Sequence, residues 1–311
     1  MKYQTVFGKF LPAFAALSTL AAANPLRSRQ CEDPWVVDQT IVTTSGNVEG
    51  HAAPDAFEVS EYLGIPYATP PTGSLRFRPP VEFNGSSTIN GTDFGFACVQ
   101  PAGGGGDAEP QSEDCLTLNL WTKPQVEEGS KAILVWVHGG AYSAGSSRSP
   151  NYNGKFIADQ TDVILISIKL WIRNNAANFG GDVDRITIFG QSAGAGMADF
   201  YSYAYASDPI ANGFILMSAT VDGFPALSNA TTRTRWFRIA ETAGCGHSAA
   251  DASDVTECMR TKTAQEIVAA FSPEDTGLGA VPAFGPAVDD VTVFADYGSR
   301  SLRDWGIFDR Q

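Results

Sequence analysis

The amino-acid sequence predicts an α/β fold: a mostly parallel central sheet with helices on both faces and a small antiparallel β section on its N-terminal side. Three observations carry this expectation. Ala132 to Val137 is a nearly unbroken apolar run, as a strand covered on both faces requires. From Leu116 onward, short β-branched runs alternate with helical patterns. Ile186 to Phe189 stops abruptly at Gly190, and the small residues after Ser192 lead into a helical pattern through Met197 and Tyr201. That last stretch reads as strand, sharp turn, helix.

Taken in order, residues 1–23 read as a secretory signal peptide. Lys2 and Lys9 give a basic start, Phe10 to Leu20 an apolar run too short to span a bilayer, and Ala21 to Ala23 small residues before a cut. Removing Lys2 and Lys9 with no acid takes the net charge of the 311-residue chain from −13 to −15. That balance argues against nucleic acid or an anionic membrane surface as partner. Residues 24–35 form a leader. Val36 to Thr43 and Phe57 to Tyr62 alternate as antiparallel strands. Gly64 to Pro71 is turn-rich, and Gly103 to Gly106 is a loop with no phosphate-binding ending. Strands follow at Leu116 to Trp121, Ala132 to Val137, Val163 to Ile168, Ile186 to Phe189 and Phe214 to Met217. Helical patterns cover Trp171 to Ala177, Ala193 to Ala204, Thr232 to Ala243 and Ala252 to Phe271.

An exported chain changes how cysteines read. Cys98 with Cys115, and Cys245 with Cys258, each close a short loop, so two local disulfides are expected, with Cys31 left over. Asn84, Asn90 and Asn229 open glycosylation sequons. No His/Cys cluster has metal-ligand spacing, so neither metal nor other cofactor is expected. No second apolar segment suggests a membrane span.

The chemistry concentrates in Gly190-Gln191-Ser192-Ala193-Gly194. Two glycines without Cβ let strand and helix approach closely, placing Ser192 on a strained elbow with its hydroxyl exposed and the next amides beside it. A chance match of this five-residue pattern is the bland alternative. The surrounding stretches make the case larger. They are Gly64-Ile65-Pro66-Tyr67-Ala68 with Leu75-Arg76-Phe77, and Ser112-Glu113-Asp114-Cys115-Leu116-Thr117-Leu118-Asn119. Val135-Trp136-Val137-His138-Gly139-Gly140-Ala141-Tyr142, Asn178-Phe179-Gly180-Gly181-Asp182 and Phe189 to Ala195 complete the set. Together they resemble the type-B carboxylesterase/lipase branch of the α/β-hydrolase fold, the branch that also holds the cholinesterases. The resemblance covers residues 36 to 295, and both cysteine pairs fall where that family places two of its disulfides.

The resemblance implies hydrolysis of a small-molecule or lipid carboxylic ester. Ser192 is then the nucleophile, and the N–H groups of Gly140, Ala141 and Ala193 form an oxyanion hole worth about 3–4 kcal/mol per donor. A plain turn after a strand is the other reading of Gly139-Gly140. His138 is expected to prop that loop, Gln191 stands where many relatives carry Glu, and Phe179 to Asp182 is expected to be a packing corner. Two departures stand out. Val163 to Lys169 runs straight into Leu170-Trp171, where relatives place several dozen more residues, leaving residues 170–185 as a bare crossover. The family's triad runs Ser, acid, His, yet the only histidines are His51, His138 and His247, and none follows an acid at the expected place. Residues 36–311 are therefore expected to be a partial carboxylesterase domain, incomplete at its C-terminal side, in which Ser192 is nearly idle. The competing readings are a non-catalytic secreted binding module on the same fold and a truncated product without function.

Overall fold

The computed structural model describes residues 36–101, 109–124, 129–167, 170–205, 208–272 and 284–304. The expected signal peptide (1–23), leader (24–35), Cys31, the Gly103 to Gly106 loop and Lys169 lie outside the described residues. Twelve strands are described: β1 (Ile41–Thr43), β2 (Gly46–Glu49), β3 (His51–Ala53), β4 (Ala56–Pro66), β5 (Thr88–Asn90), β6 (Ala97–Cys98), β7 (Gln111–Ser112), β8 (Thr117–Thr122), β9 (Lys131–Val137), β10 (Ile164–Ile166), β11 (Gly181–Gln191) and β12 (Gly213–Met217). Seven of them form the main sheet, in the order β12-β11-β9-β10-β8-β4-β3.

The half that carries the elbow is parallel. β11 pairs with β12 from Thr187↔Gly213 to Gln191↔Met217, and with β9 from Ile186↔Ile133 to Gly190↔Val137. β9 in turn pairs parallel with β10. The other half, β10-β8-β4-β3, is antiparallel throughout. The expected N-terminal antiparallel section divides: β1 and β2 pair antiparallel in a separate sheet closed by a parallel β5, whereas β3 and β4 join the main sheet. Val36 to Gln39 contributes no strand, and β4 runs on to Pro66 with a register shift between Tyr62 and Ile65 around Gly64, which has φ 64.

Seven helices are described: α1 (Lys155–Thr161), α2 (Leu170–Asn175), α3 (Ala193–Ala204), α4 (Asn229–Thr242), α5 (Ala252–Thr261), α6 (Ala264–Ala269) and α7 (Tyr297–Asp304). The strands sort their side chains by the period of two that a pleated sheet imposes. Ile133, Val135, Ile164, Ile166, Ile186 and Ile188 face one core shared with Trp171 and Ile172 of α2 and Ala198 and Tyr201 of α3. Leu134, Leu165, Trp121 and Phe189 face the opposite core, shared with Ala158 of α1. Both faces are thus covered, as the apolar strands demanded.

The helix expected over Ala252 to Phe271 is two helices. Lys262 is extended at φ −72 and ψ 148, and Thr263 restarts the chain with a reciprocal capping box to Glu266. α4 begins earlier than expected, at Asn229, because Ser228 caps it by accepting from the Thr231 amide. α1 and α7 were not foreseen from the sequence. The crossover 170–180 closes compactly: α2 passes into a 3-10 turn, Ala176–Phe179, which Gly180 ends at φ 89. Phe179 packs edge-on against Tyr62 at 5.0 Å, so this stretch is a packing corner. No helix among the described residues is long and apolar enough to cross a membrane.

Candidate active site

The strand β11 delivers the chain into Ser192 at φ 54 and ψ −128, a backbone region almost closed to residues with a Cβ. Three contacts hold it there. The Ser192 amide donates to the Met217 carbonyl of β12 at 2.8 Å, and the Gly196 amide donates to the Ser192 carbonyl at 3.0 Å. The third contact is packing that only glycine permits. A Cβ on Gly190 would lie 2.6 Å from the Gly194 carbonyl carbon, and one on Gly194 would lie 2.1 Å from the Val137 oxygen. The first turn of α3 therefore sits directly on the end of β9.

The end of β9 is the loop His138 to Gly145. Gly139 presses on the elbow, since a Cβ there would be 3.2 Å from Ser192 Cβ. Gly140 takes φ 128, and its carbonyl accepts from the amides of Ser143 at 3.0 Å and Ala144 at 2.9 Å. Ala141 and Tyr142 follow with φ 52 and φ 59, two consecutive non-glycine residues in the left-handed region. Among the described residues, the N–H groups of Gly140, Ala141 and Ala193 donate to no protein acceptor. For Ala193 this follows from its place as the first residue of α3, where helical amides lack a partner. The Tyr142 hydroxyl is buried without a hydrogen-bond partner, and burial pushes its ionisation up to about 12.

Several polar contacts around the site were not foreseen. Gln100 clamps its far end, accepting from the Gly145 amide at 2.7 Å and donating to the Gly145 carbonyl at 3.2 Å. Asn119, fully buried on β8, accepts from the Gly64 amide at 3.0 Å and donates to the Ser147 carbonyl at 3.3 Å. Asp199 of α3 accepts from the Val221 amide at 2.8 Å, and burial raises its carboxyl above the usual carboxylate range. The only sequence signal for Asp199 was an acid on the apolar side of a helix. Arg76 and Glu113, both within the quoted motifs, pair through Nε and Oε1 at 3.1 Å, and Arg76 also donates to the Arg260 carbonyl at 3.1 Å.

All three histidines are described, and each is engaged elsewhere. His138 Nδ1 lies 2.7 Å from the Gly139 carbonyl, which makes Nδ1 the protonated nitrogen, and its ring stacks on Tyr152. His247 Nδ1 accepts from the Ala249 amide at 3.2 Å within the Cys245–Cys258 loop. His51 pairs with Glu61 at 3.0 Å, and Glu61 also accepts from Trp121 Nε1. Among the described residues, no side chain is hydrogen-bonded to the Ser192 hydroxyl.

Both expected disulfides are present, Cys98–Cys115 and Cys245–Cys258, with Cα atoms 5.0 and 5.4 Å apart. Asn84, Asn90 and Asn229 are exposed. A cavity of about 160 Å³ opens at the carboxyl ends of β9 and β10, between Trp136, His138, Ser167 and the Cys98–Cys115 bridge. Ser192 does not line it.

Comparison with known proteins gives a family match and several relatives. The model of the carboxylesterase family matches residues 37–169 and 170–305, two stretches that part at the junction of β10 and α2. The chain is 28% identical to acetylcholinesterase of Gallus gallus over 347 residues, covering 92% of this chain and 44% of that one. It is 32% identical to cholinesterase of Mus musculus over 332 residues (92% and 54%), and 29% identical to chlorogenic acid esterase of Aspergillus niger over 316 residues (84% and 59%). The chain thus spans about half the length of these curated relatives. Each alignment is longer than the 311-residue chain, so the relatives carry positions that this chain lacks.

Proposed function

The chain belongs to the carboxylesterase family, and from that membership we propose that it is a secreted serine esterase whose nucleophile is Ser192. The observation that carries the reading is the strained backbone of Ser192 between β11 and α3, at the edge where parallel strands end. Strain of this kind persists only where the surroundings enforce it, and it lifts a side chain clear of the sheet. The free N–H groups of Gly140, Ala141 and Ala193 are the oxyanion donors in this reading.

The chemistry follows from those parts. Ser192 Oγ attacks the carbonyl carbon of a small-molecule or lipid carboxylic ester, and its proton passes to a base. Negative charge collects on the former carbonyl oxygen, where fixed amide donors stabilise it. The alkoxide leaves with a proton as the acyl-enzyme forms, and water then releases the acid. The base is the part that these residues do not supply, because His51, His138 and His247 are all engaged elsewhere. Triad members act as a unit, and loss of one costs roughly a million-fold in turnover. The 311-residue chain by itself is therefore slow, with about 10³–10⁴ over water left to the oxyanion hole and binding. Secretion is supported by two disulfides, which persist in oxidising compartments. The second reading, a non-catalytic secreted binding module on the same fold, is favoured by the same unassisted hydroxyl.

Mass-spectrometric mapping after reaction with a fluorophosphonate tests the assignment. Slow modification, for want of a base, but at Ser192 ahead of every other serine because of the adjacent amide donors, is expected, and its loss in Ser192→Ala. Modification spread over many serines at similar rates would overturn it.

A further inference from the structure

We propose that the Tyr142 hydroxyl is a spacer that sets the stand-off between the oxyanion loop and the helix carrying Ser192, and that position 196 is glycine to receive it. The inference rests on the reading of Ser192 as nucleophile. Tyr142 holds φ 59, a conformation costly for a bulky residue, immediately after Ala141. Its Oη is buried and has no hydrogen-bond partner among the described residues. A buried hydroxyl without a partner lowers stability, and phenylalanine would avoid that cost. What the hydroxyl touches is the backbone of Gly196, in the first turn of α3: a Cβ there would lie 2.4 Å from Tyr142 Oη but 3.7 Å from Cζ. Oη therefore occupies nearly the space that an alanine methyl would fill. The same Gly196 donates its amide to the Ser192 carbonyl, so the contact reaches the nucleophile's own backbone.

The geometry gives Tyr142 a positioning role. It bears on the loop that holds the Gly140 and Ala141 amides, and the hydroxyl keeps that loop a fixed distance from Ser192. Removing it lets the loop settle toward α3. Adding a methyl opposite it pushes the loop away. Doing both exchanges one spacer for another, since 3.7 Å is ordinary van der Waals contact.

A four-member cycle tests this: the 311-residue chain, Tyr142→Phe, Gly196→Ala and the double variant. Two quantities are measured, the melting temperature and the rate of Ser192 modification by a fluorophosphonate. Tyr142→Phe is expected to raise the melting temperature yet slow modification about threefold or more, a split that a merely structural role would not give. Gly196→Ala is expected to lower both. In the double variant the methyl becomes stabilising, as alanine is over glycine in a helix, and modification returns to within about twofold of the parent. If Gly196→Ala shifts the melting temperature equally in both backgrounds, Oη is not what position 196 accommodates and the spacer is refuted. Melting shifts of opposite sign with modification unchanged in Tyr142→Phe would confine the contact to packing and overturn the positioning role. A parent chain that is not modified at Ser192 at all counts against the nucleophile assignment and removes the positioning role with it.

Discussion

Ser192 keeps φ 54 and ψ −128 with a Cβ attached, at a cost on the order of 1–3 kcal/mol. Ser192→Gly is expected to recover about 1 kcal/mol or more in a chemical denaturation midpoint, whereas Ser192→Ala, still bearing a Cβ, is not. A glycine variant no more stable than the alanine variant would mean the elbow is unstrained. Asp199 offers a pH test. Its folded carboxyl titrates above the unfolded value of 3.8, because burial disfavours the charge. Between those two values the folded state binds more protons than the unfolded one, so stability is fully present below the unfolded pKa and falls as pH rises through the folded one. Asp199→Asn keeps an acceptor for the Val221 amide and removes the titration. It is expected to match the parent near pH 3 and exceed it at pH 7 in denaturation midpoints; a constant difference across pH would refute this. The glycines of the elbow were legible because close approach leaves a local signature in sequence. Asp199, Gln100 and Asn119 were not, because their partners at Val221, Gly145 and Gly64 are met only after strands and loops assemble.

The crossover element α2 shows how the chain bridges β10 and β11 after the point where the family match divides. Asn175 is fully buried: it accepts from the Thr44 amide at 2.7 Å and donates to Thr44 Oγ1 at 3.0 Å and the Trp171 carbonyl at 2.9 Å. Trp171 Nε1 reaches Ser45 Oγ at 2.9 Å. Asn175→Leu, similar in size, leaves those groups unpaired and is expected to cost about 2–4 kcal/mol in equilibrium unfolding. A cost below about 1 kcal/mol would show that α2 is docked by its apolar side chains alone. Thr263→Ala, which removes the capping box of α6, is expected to cost about 1 kcal/mol. The sequence reading takes Ala252 to Phe271 as one helix and misses the restart at Thr263. α1 escaped notice because Phe156 and Ile157 face outward, which blurs its amphipathic stripe.

At the scale of the whole molecule, the alternation of strands and helices made the α/β sheet legible, and the motifs made the family legible. Phe57 to Tyr62, within β4, showed as antiparallel, but β8 did not: it is as buried as the parallel strands, and its direction is set by its partners, not by its composition. β12 is one edge of the main sheet, and Ile215 on it is 51% exposed, an invitation to pairing between chains. Ile215→Lys is expected to lower aggregation in light scattering at equal melting temperature; unchanged scattering would place the sticky surface elsewhere. The proposed site has a positioned nucleophile and free amide donors, but no histidine available as base. Hydrolysis of a short-chain nitrophenyl ester by the 311-residue chain and by its Ser192→Ala variant tests that combination most directly. The two rates are expected to agree within about twofold, both above water and both far below ordinary esterase turnover. A parent rate exceeding the variant by a thousandfold or more would contradict it, and would mean that one of His51, His138 or His247 reaches Ser192 after all.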